Sequence, residues 1–446
     1  MEIRIPEYIS SSSYFFEKEN SRCYVINEKT HQEHLFEGIS ADLWKIILET
    51  SNYDCINQYA LERGVQSELK DFLLSLQKLG LIKINEKEFP YFLGTDSLPV
   101  DNCEKNLQLF LSEKYKWLYQ NNFLPKLAIE LSYKCNLNCV HCYNDKNIPN
   151  ESIDFEIAKN IIDDAIKIGV SEIQITSGEC TINSNFIKIA RYIREKKIPF
   201  SFVTNGQVLS DNDVLFDEIV KLYPHRVRVS LYSMNADIHD SITGVKGSHQ
   251  KTVTAIKKLR EKDIVVTINY FQMSLNNNSF DDVLRFQNEV GAEIAYDLYF
   301  LNNKSNNNSS VMVTNSQVYD LYSDSLCLFS AQLNHIKNNL DFDNQICQAG
   351  KYLLSISPTL DICPCISLKY VLGNLKNTTL FNVWNEKMNE FREKFQVRNL
   401  KECNNSDYCE YCFYCPAMGF LENGFMKKSD ICCELAKIRM NILRKV

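Results

Sequence analysis

Nowhere in its 446 residues does this chain run to eighteen consecutive apolar positions, so the sequence offers no membrane-spanning helix. Its first residues, Met1-Glu2-Ile3-Arg4, lack the basic-then-apolar pattern of an export signal. Positive charge is not in excess: 49 Lys and Arg face 56 Asp and Glu, a net charge of −7, which argues against nucleic acid as the main partner. These absences point to a cytoplasmic protein with neither a membrane nor a nucleic-acid partner. Core-forming residues are plentiful. At 45% hydrophobic, the chain has material for about three domains on a prior of ~150 residues each. It also has seventeen cysteines. In a short secreted chain these would read as disulfides; in a long chain without an export signal, gathered in two places, they fit metal clusters in a reducing compartment. The scattered Cys23, Cys55, Cys103 and Cys327 read as ordinary core or surface thiols.

The first gathering is Lys134-Cys-Asn-Leu-Asn-Cys-Val-His-Cys-Tyr143, a C-x3-C-x2-C array after the strand-like run Leu127 to Leu131. Cys135, Cys139 and Cys142 can hold three corners of a [4Fe–4S] cube, because soft iron prefers sulfur. The fourth iron then has no nearby protein ligand and is open to a chelating small molecule. A zinc site or unrelated core thiols is the competing reading, although zinc motifs more often pair two C-x2-C or C/H knuckles. The array resembles the signature of the radical S-adenosylmethionine superfamily. That resemblance implies a cluster that binds S-adenosylmethionine through its open iron and yields a 5′-deoxyadenosyl radical, with His141 beside the adenine.

Downstream, runs rich in β-branched and aromatic residues (Glu172 to Thr176, Pro199 to Thr204, Arg226 to Leu231, Ile264 to Tyr270, Glu293 to Tyr299) alternate with amphipathic helical patterns at 154–168, 184–197, 211–222, 249–262 and 279–290. Together with the first run they predict six parallel strands with right-handed crossovers. The resemblance makes this a partial (β/α)6 barrel, with functional residues at the C-terminal ends of the strands. There, Ser177-Gly178-Glu179-Cys180 resembles the family's G-G-E-P loop, which binds the methionine amino group. Gly178 would allow close backbone approach, and Glu179 would offer a carboxylate. Asn205, in Val203-Thr-Asn-Gly206, and Ser230, in Val229-Ser-Leu-Tyr-Ser233, are further candidates for contacts to the cofactor. Thr243 stands where the family often has Arg. No residue is singled out as a general base.

The second gathering is Cys347, Cys363, Cys365, Cys403, Cys409, Cys412, Cys415, Cys432 and Cys433. With Cys347-Gln-Ala-Gly350, Asp361-Ile-Cys-Pro-Cys365 and Gly373-Asn-Leu375, their order resembles the SPASM extension, which carries two auxiliary [4Fe–4S] clusters. The resemblance implies one cluster on Cys347, Cys365 and Cys415, with Cys363 or no fourth thiolate. It implies a second on Cys403, Cys409, Cys412 and Cys432, with Cys433 as the alternative to Cys432. Ser406 stands where the pattern expects a cysteine, and Cys409 can substitute for it. Zinc ribbons, or a single cluster, are the competing readings.

Ahead of the barrel, Arg22 to Asn27 and Glu33 to Phe36 read as a hairpin. Helical patterns follow at Ser40 to Thr50, Asp54 to Glu62 and Ser67 to Leu79, and then a strand from Gly80 to Ile84. A winged-helix module of this kind can bind DNA, but Glu68 and Asp71 lie in what would be its recognition helix. The module resembles the RiPP recognition element, which binds a leader peptide along a strand edge. The expected architecture is therefore α/β: a winged-helix-like peptide-binding module (1–85), a bridge (86–125) with a helix over Glu104 to Asn121, a partial TIM-like (β/α)6 barrel (126–300), a linker (301–345) and a cysteine-rich SPASM domain (346–446). The combined resemblance is to thioether-forming maturases of ribosomally made peptides, the sactipeptide and ranthipeptide enzymes. It implies a precursor peptide with a leader as substrate and an electron donor such as flavodoxin or ferredoxin. Carbon–carbon or ether cross-linking, and a zinc-binding winged-helix regulator, are the alternatives.

Overall fold

The computed structural model describes residues 3–14, 21–84, 107–144, 151–176, 178–298, 311–324, 347–403, 406–412 and 414–444. Most of the expected linker, the first half of the bridge, Cys103, Ser177 and Cys327 lie outside the described residues. Among the described residues, no helix is long and apolar enough to cross a membrane.

The strands are β1 (Ile3–Arg4), β2 (Ile9–Tyr14), β3 (Arg22–Asn27), β4 (Gln32–Glu37), β5 (Lys83–Ile84), β6 (Lys126–Glu130), β7 (Glu172–Thr176), β8 (Phe200–Thr204), β9 (Arg226–Ser230), β10 (Val266–Phe271), β11 (Glu293–Asp297), β12 (Leu353–Ile356), β13 (Asp361–Cys363) and β14 (Gly373–Asn374). β6 to β11 pair in sequence order, all parallel. The sheet does not stop at β6. Its free edge is extended by β12, which runs parallel, and then by the antiparallel β13 and β14, giving nine strands. The cysteine-rich region is thus hydrogen-bonded directly into the parallel sheet.

Alternation along each strand gives the sheet two unlike faces. Leu127, Ile129, Ile173, Ile175, Phe202, Val227, Val229 and Ile268 are buried on one face under the crossover helices. The helix Phe155–Lys167 shows how the sequence achieves this. Asp154 caps its start by accepting from the Ile157 amide, and Ala158, Ile161, Ile162 and Ala165 form its buried stripe. The opposite, inner face is polar, with Glu130, Gln174, Ser201, Arg228 and Asn269 aligned by register.

The N-terminal region has its own core. β2, β3 and β4 form an antiparallel sheet, β1 pairs with β5, and α1 (Ile39–Thr50), α2 (Tyr53–Glu62) and α3 (Gln66–Lys78) pack Trp44, Ile47, Ile56, Leu69, Leu73 and Leu76 beneath. β2 was not expected, because four consecutive serines between Ile9 and Tyr14 show no alternation and little β-forming bulk. Tertiary contacts order it. Ser11 Oγ accepts from Trp44 Nε1, Ser12 Oγ donates to Ser171 O, and the Ser11 amide donates to Lys197 O at 2.7 Å. Ser171, Lys197 and His225 all precede strands. The module therefore sits on the N-terminal ends of the parallel strands, where Glu28 is buried between Arg194 and His225.

Candidate cofactor and cluster site

At the other end of the sheet, the segment after β6 carries Cys135, Cys139 and Cys142. Its course is fixed by the main chain. The Asn138 and Val140 amides donate to Thr243 O and Ile242 O, both at 2.9 Å, and the Gly178 and Glu179 amides donate to Ser132 O and Lys134 O, also at 2.9 Å. A side chain at Gly178 would place its Cβ 2.3 Å from Lys134 O and 2.6 Å from Tyr133 O, so only glycine permits this approach. Thr243, with its hydroxyl 2.6 Å from Ser248 Oγ, serves the local turn.

Cys135 Sγ accepts from the Leu137 amide at 3.4 Å and from Asn205 Nδ2 at 3.8 Å, and Asn205 Nδ2 also donates to Asn136 Oδ1 at 2.7 Å. His141 is buried, with Nε2 3.1 Å from Tyr232 Oη and the two rings in edge contact at 4.7 Å. Burial pulls its imidazole pKa down to about 4, so the ring is neutral. Burial pushes Tyr232 well up, and the thiols of Cys139, Cys142 and Cys135 add to that rise, while Ser230 bonds its hydroxyl. The structure thus gathers Cys135, Cys139, Cys142, His141, Asn205 and Ser230 around one spot. Tyr232 belongs to it too; its signal in the sequence was an aromatic residue two positions beyond Ser230.

Glu179, expected to offer its carboxylate to the methionine amino group, is engaged within the protein. Its carboxylate is buried and accepts from the Thr181 amide (3.1 Å), Thr181 Oγ1 (2.6 Å), Thr204 Oγ1 (2.8 Å) and the Asn205 amide (2.6 Å). Oε1 takes three of these donors and Oε2 only one, so Oε2 keeps acceptor capacity for a ligand ammonium. In this structure Glu179 ties the loops after β7 and β8 together. Burial raises its pKa and these bonds oppose the rise.

The second gathering divides into two groups. Cys347 is raised by burial and further by Cys365 and Cys415. These three thiols share a feature: the Ala349 amide donates to Cys347 Sγ at 3.3 Å, the Leu368 amide to Cys365 Sγ at 3.1 Å, and Cys415 takes donors from Met418 and Ala417 at the start of the helix Pro416–Asn423. Cys363 is buried beside Lys369, Glu130 and Cys365, and burial pushes its thiol up to about 12. The other group is Cys403, Cys409, Cys412, Cys432 and Cys433. The Cys409 thiol donates to Cys403 O, and burial pushes Cys403 up to about 12, with Cys433, Cys409 and Cys432 adding to it. Cys432 and Cys433 are neighbours on the helix Asp430–Leu443, and both act on Cys412.

Among the described residues, no three Cys, His, Asp or Glu side chains converge closely enough for a single metal ion. The donor chemistry does fit iron–sulfur clusters: sets of thiols alone, with peptide N–H groups aimed at sulfur, which steady the thiolate and tune such centres.

Comparison with known proteins agrees with this geometry. Residues 129–286 match the radical SAM superfamily, and residues 347–416 match SPASM, an iron–sulfur cluster-binding domain. An AdoMet-dependent heme synthase of Methanosarcina barkeri is 24% identical over 339 residues, 69% of this chain and 96% of that protein. The antilisterial bacteriocin subtilosin biosynthesis protein AlbA of Bacillus subtilis is 25% identical over 325 residues, 68% of this chain and 70% of AlbA. Among solved structures, Streptococcus suis SuiB bound to its precursor peptide SuiA superposes with a TM-score of 0.58 at 15% identity, covering 96% of this chain and 99% of SuiB.

Proposed function

Given a chain that belongs to the radical SAM superfamily and carries a SPASM domain, with a [4Fe–4S] cluster, auxiliary clusters and S-adenosylmethionine as its cofactors, we propose that it cross-links a ribosomally made precursor peptide through thioether bonds. When bound, the reduced cluster and S-adenosylmethionine supply a 5′-deoxyadenosyl radical able to take hydrogen from a peptide carbon. Cys135, Cys139 and Cys142 hold that cluster. His141, Asn205 and Ser230, with the Gly178 backbone and Glu179, shape the cofactor pocket. Cys347, Cys365 and Cys415 hold one auxiliary cluster. Cys403, Cys409 and Cys412, with Cys432 or Cys433, hold the other. An electron donor such as flavodoxin or ferredoxin reduces the system.

The observation that carries this reading is the shared sheet. β6 leads into the first thiol array and pairs with β12, which lies between Cys347 and Cys363. A peptide lying on the polar inner face would meet both sets of thiols, one serving hydrogen removal and the other electron removal. The names of AlbA and SuiB, one a bacteriocin biosynthesis protein and the other bound to a precursor peptide, support a peptide substrate. The heme synthase shows that related chains run other chemistry, so the bond type rests on analogy.

The leader binds along β4, the outer strand of the N-terminal sheet, by strand addition. The module lies at the end of the sheet opposite the Cys135 loop. An extended peptide must then cover one strand height, about 17 Å or some five residues, before its core reaches the site.

The test is anaerobic co-expression with a cysteine-containing precursor encoded beside the gene, read by mass spectrometry. The expected result is a loss of two hydrogens per cross-link, with the affected cysteines no longer alkylated. The same loss with every cysteine still alkylatable would mean carbon–carbon or ether bonds, and an unchanged mass would overturn the peptide reading.

A further inference from the structure

Glu130 ends β6 on the inner face, five residues before Cys135, and is 1% exposed. Its Oε1 accepts from Lys369 Nζ at 2.6 Å, and the Tyr133 hydroxyl also bonds its carboxylate. Lys369 Nζ also lies 3.5 Å from Tyr133 Oη and 5.8 Å from the centre of that ring. The lysine follows Leu368, whose amide holds Cys365 Sγ, and Cys363 stands on the same inner face two residues before Cys365. The pair therefore joins the strand that feeds one thiol array to the turn that carries another.

Glu130 is buried but Lys369 is half-exposed, and such an ion pair is weak evidence for a stabilising role. Here the Tyr133 hydroxyl joins the pair, bonding the Glu130 carboxylate and lying within reach of Lys369. The pair stands directly beside the turn that carries Cys363 and Cys365.

We propose that Lys369, pinned by Glu130, is a positioning charge that sets the reduction potential of the auxiliary cluster held by Cys347, Cys365 and Cys415. This rests on the assignment of those thiols made above. Reduction adds negative charge to a cluster. A fixed ammonium nearby stabilises the reduced form and raises the potential, and a carboxylate lowers it. An auxiliary centre that accepts the electron left by cross-linking needs a raised potential. The Glu130 carboxylate holds the ammonium in place and limits how far the potential rises.

The experiment is a potentiometric titration of the anaerobic full-length protein, followed by electron paramagnetic resonance, with iron content measured in each sample. Lys369→Gln should lower the auxiliary midpoint and Glu130→Gln should raise it, with the double variant falling between the two. Shifts of the same sign, or none, would overturn the inference. Should either Gln variant lose iron, Lys369→Arg and Glu130→Asp replace it: the arginine should keep the wild-type midpoint, and a drop on that change would also overturn the inference. If Cys365→Ala leaves every cluster signal of the wild type in place, the ligand assignment fails first, and the inference falls with it.

Discussion

The two ends of the parallel sheet are closed by different chemistry. At the N-terminal end, side-chain charge does the work: Glu28 is buried against Ser10, Arg194 and His225, and this knot fastens the N-terminal module to the sheet. At the C-terminal end, main chain does most of it, with the Glu179 carboxylate tying the next two loops together. Amides of Asn138, Val140, Gly178 and Glu179 pin the cysteine loop to its neighbours, and Gly178 lets two backbones touch. The difference has a functional sense. A loop whose course is set by its backbone does not need the thiols of Cys135, Cys139 and Cys142 to hold its shape, whereas a docking joint has no such demand and can use up its charges on itself.

The comparison breaks most completely at the C-terminal end. Replacing Cys135, Cys139 and Cys142 together by Ala should abolish reductive cleavage of S-adenosylmethionine while the main-chain frame persists. The readout is 5′-deoxyadenosine by chromatography, with circular dichroism as the control for folding. Persistent cleavage would remove the radical assignment. At the other end, Glu28→Gln leaves the Arg194 guanidinium buried without its counter-charge and should cost about 3 kcal/mol of stability. Denaturant unfolding measures it, and the surviving folded protein should still cleave the cofactor. Gly178→Ala comes next. Its methyl meets backbone rather than a movable side chain, so the loop must shift, at about 2 kcal/mol. Unlike Glu28→Gln, it should also lower affinity for S-adenosylmethionine, measured by calorimetry.

How well each end can be read from sequence follows the same division. The cysteine loop and the strands feeding it are local patterns: three thiols within eight residues, period-two runs and amphipathic helices between them. Strand β7 falls on the expected Glu172 to Thr176. What escaped was set at long range. β14 is two residues long, too short to show a period, and the place of β12 beside β6 is a matter of pairing. β2 looks like a serine loop until two cores enclose it. Glu130 and Lys369 are 239 positions apart, so nothing local links them. The inward turn of Glu179 depends on Thr181, Thr204 and Asn205, which surround it only once two loops have met.

The remaining predictions sharpen the contrast. Leu35 on β4 and Ile39 at the start of α1 are exposed apolar residues at the edge of the N-terminal sheet. Leu35→Asp should weaken binding of a fluorescent leader peptide about tenfold, which is ~1.4 kcal/mol, with cofactor cleavage unchanged. Equal affinity would move the leader away from this edge.

The smallest effect concerns pH, and it separates a joint built on charge from one built on backbone. Burial alone would lower the His225 pKa. Attraction to Glu28, the Nδ1 contact at 3.0 Å and the charge of Glu172 outweigh it, so the folded-state value lies above the ordinary 6.5. A group whose pKa is raised by folding binds its proton more tightly in the folded state. Its contribution to stability is therefore full below pH 6.5 and disappears as pH rises through the raised value. The difference in unfolding free energy between wild type and His225→Gln should be largest in mild acid and shrink towards alkaline pH. The same scan on Gly178→Ala should give a difference independent of pH, since no titrating group is removed. A His225→Gln difference that stayed flat would mean that folding does not shift the His225 pKa, and one that grew towards alkaline pH would mean that the imidazole is neutral in the folded joint.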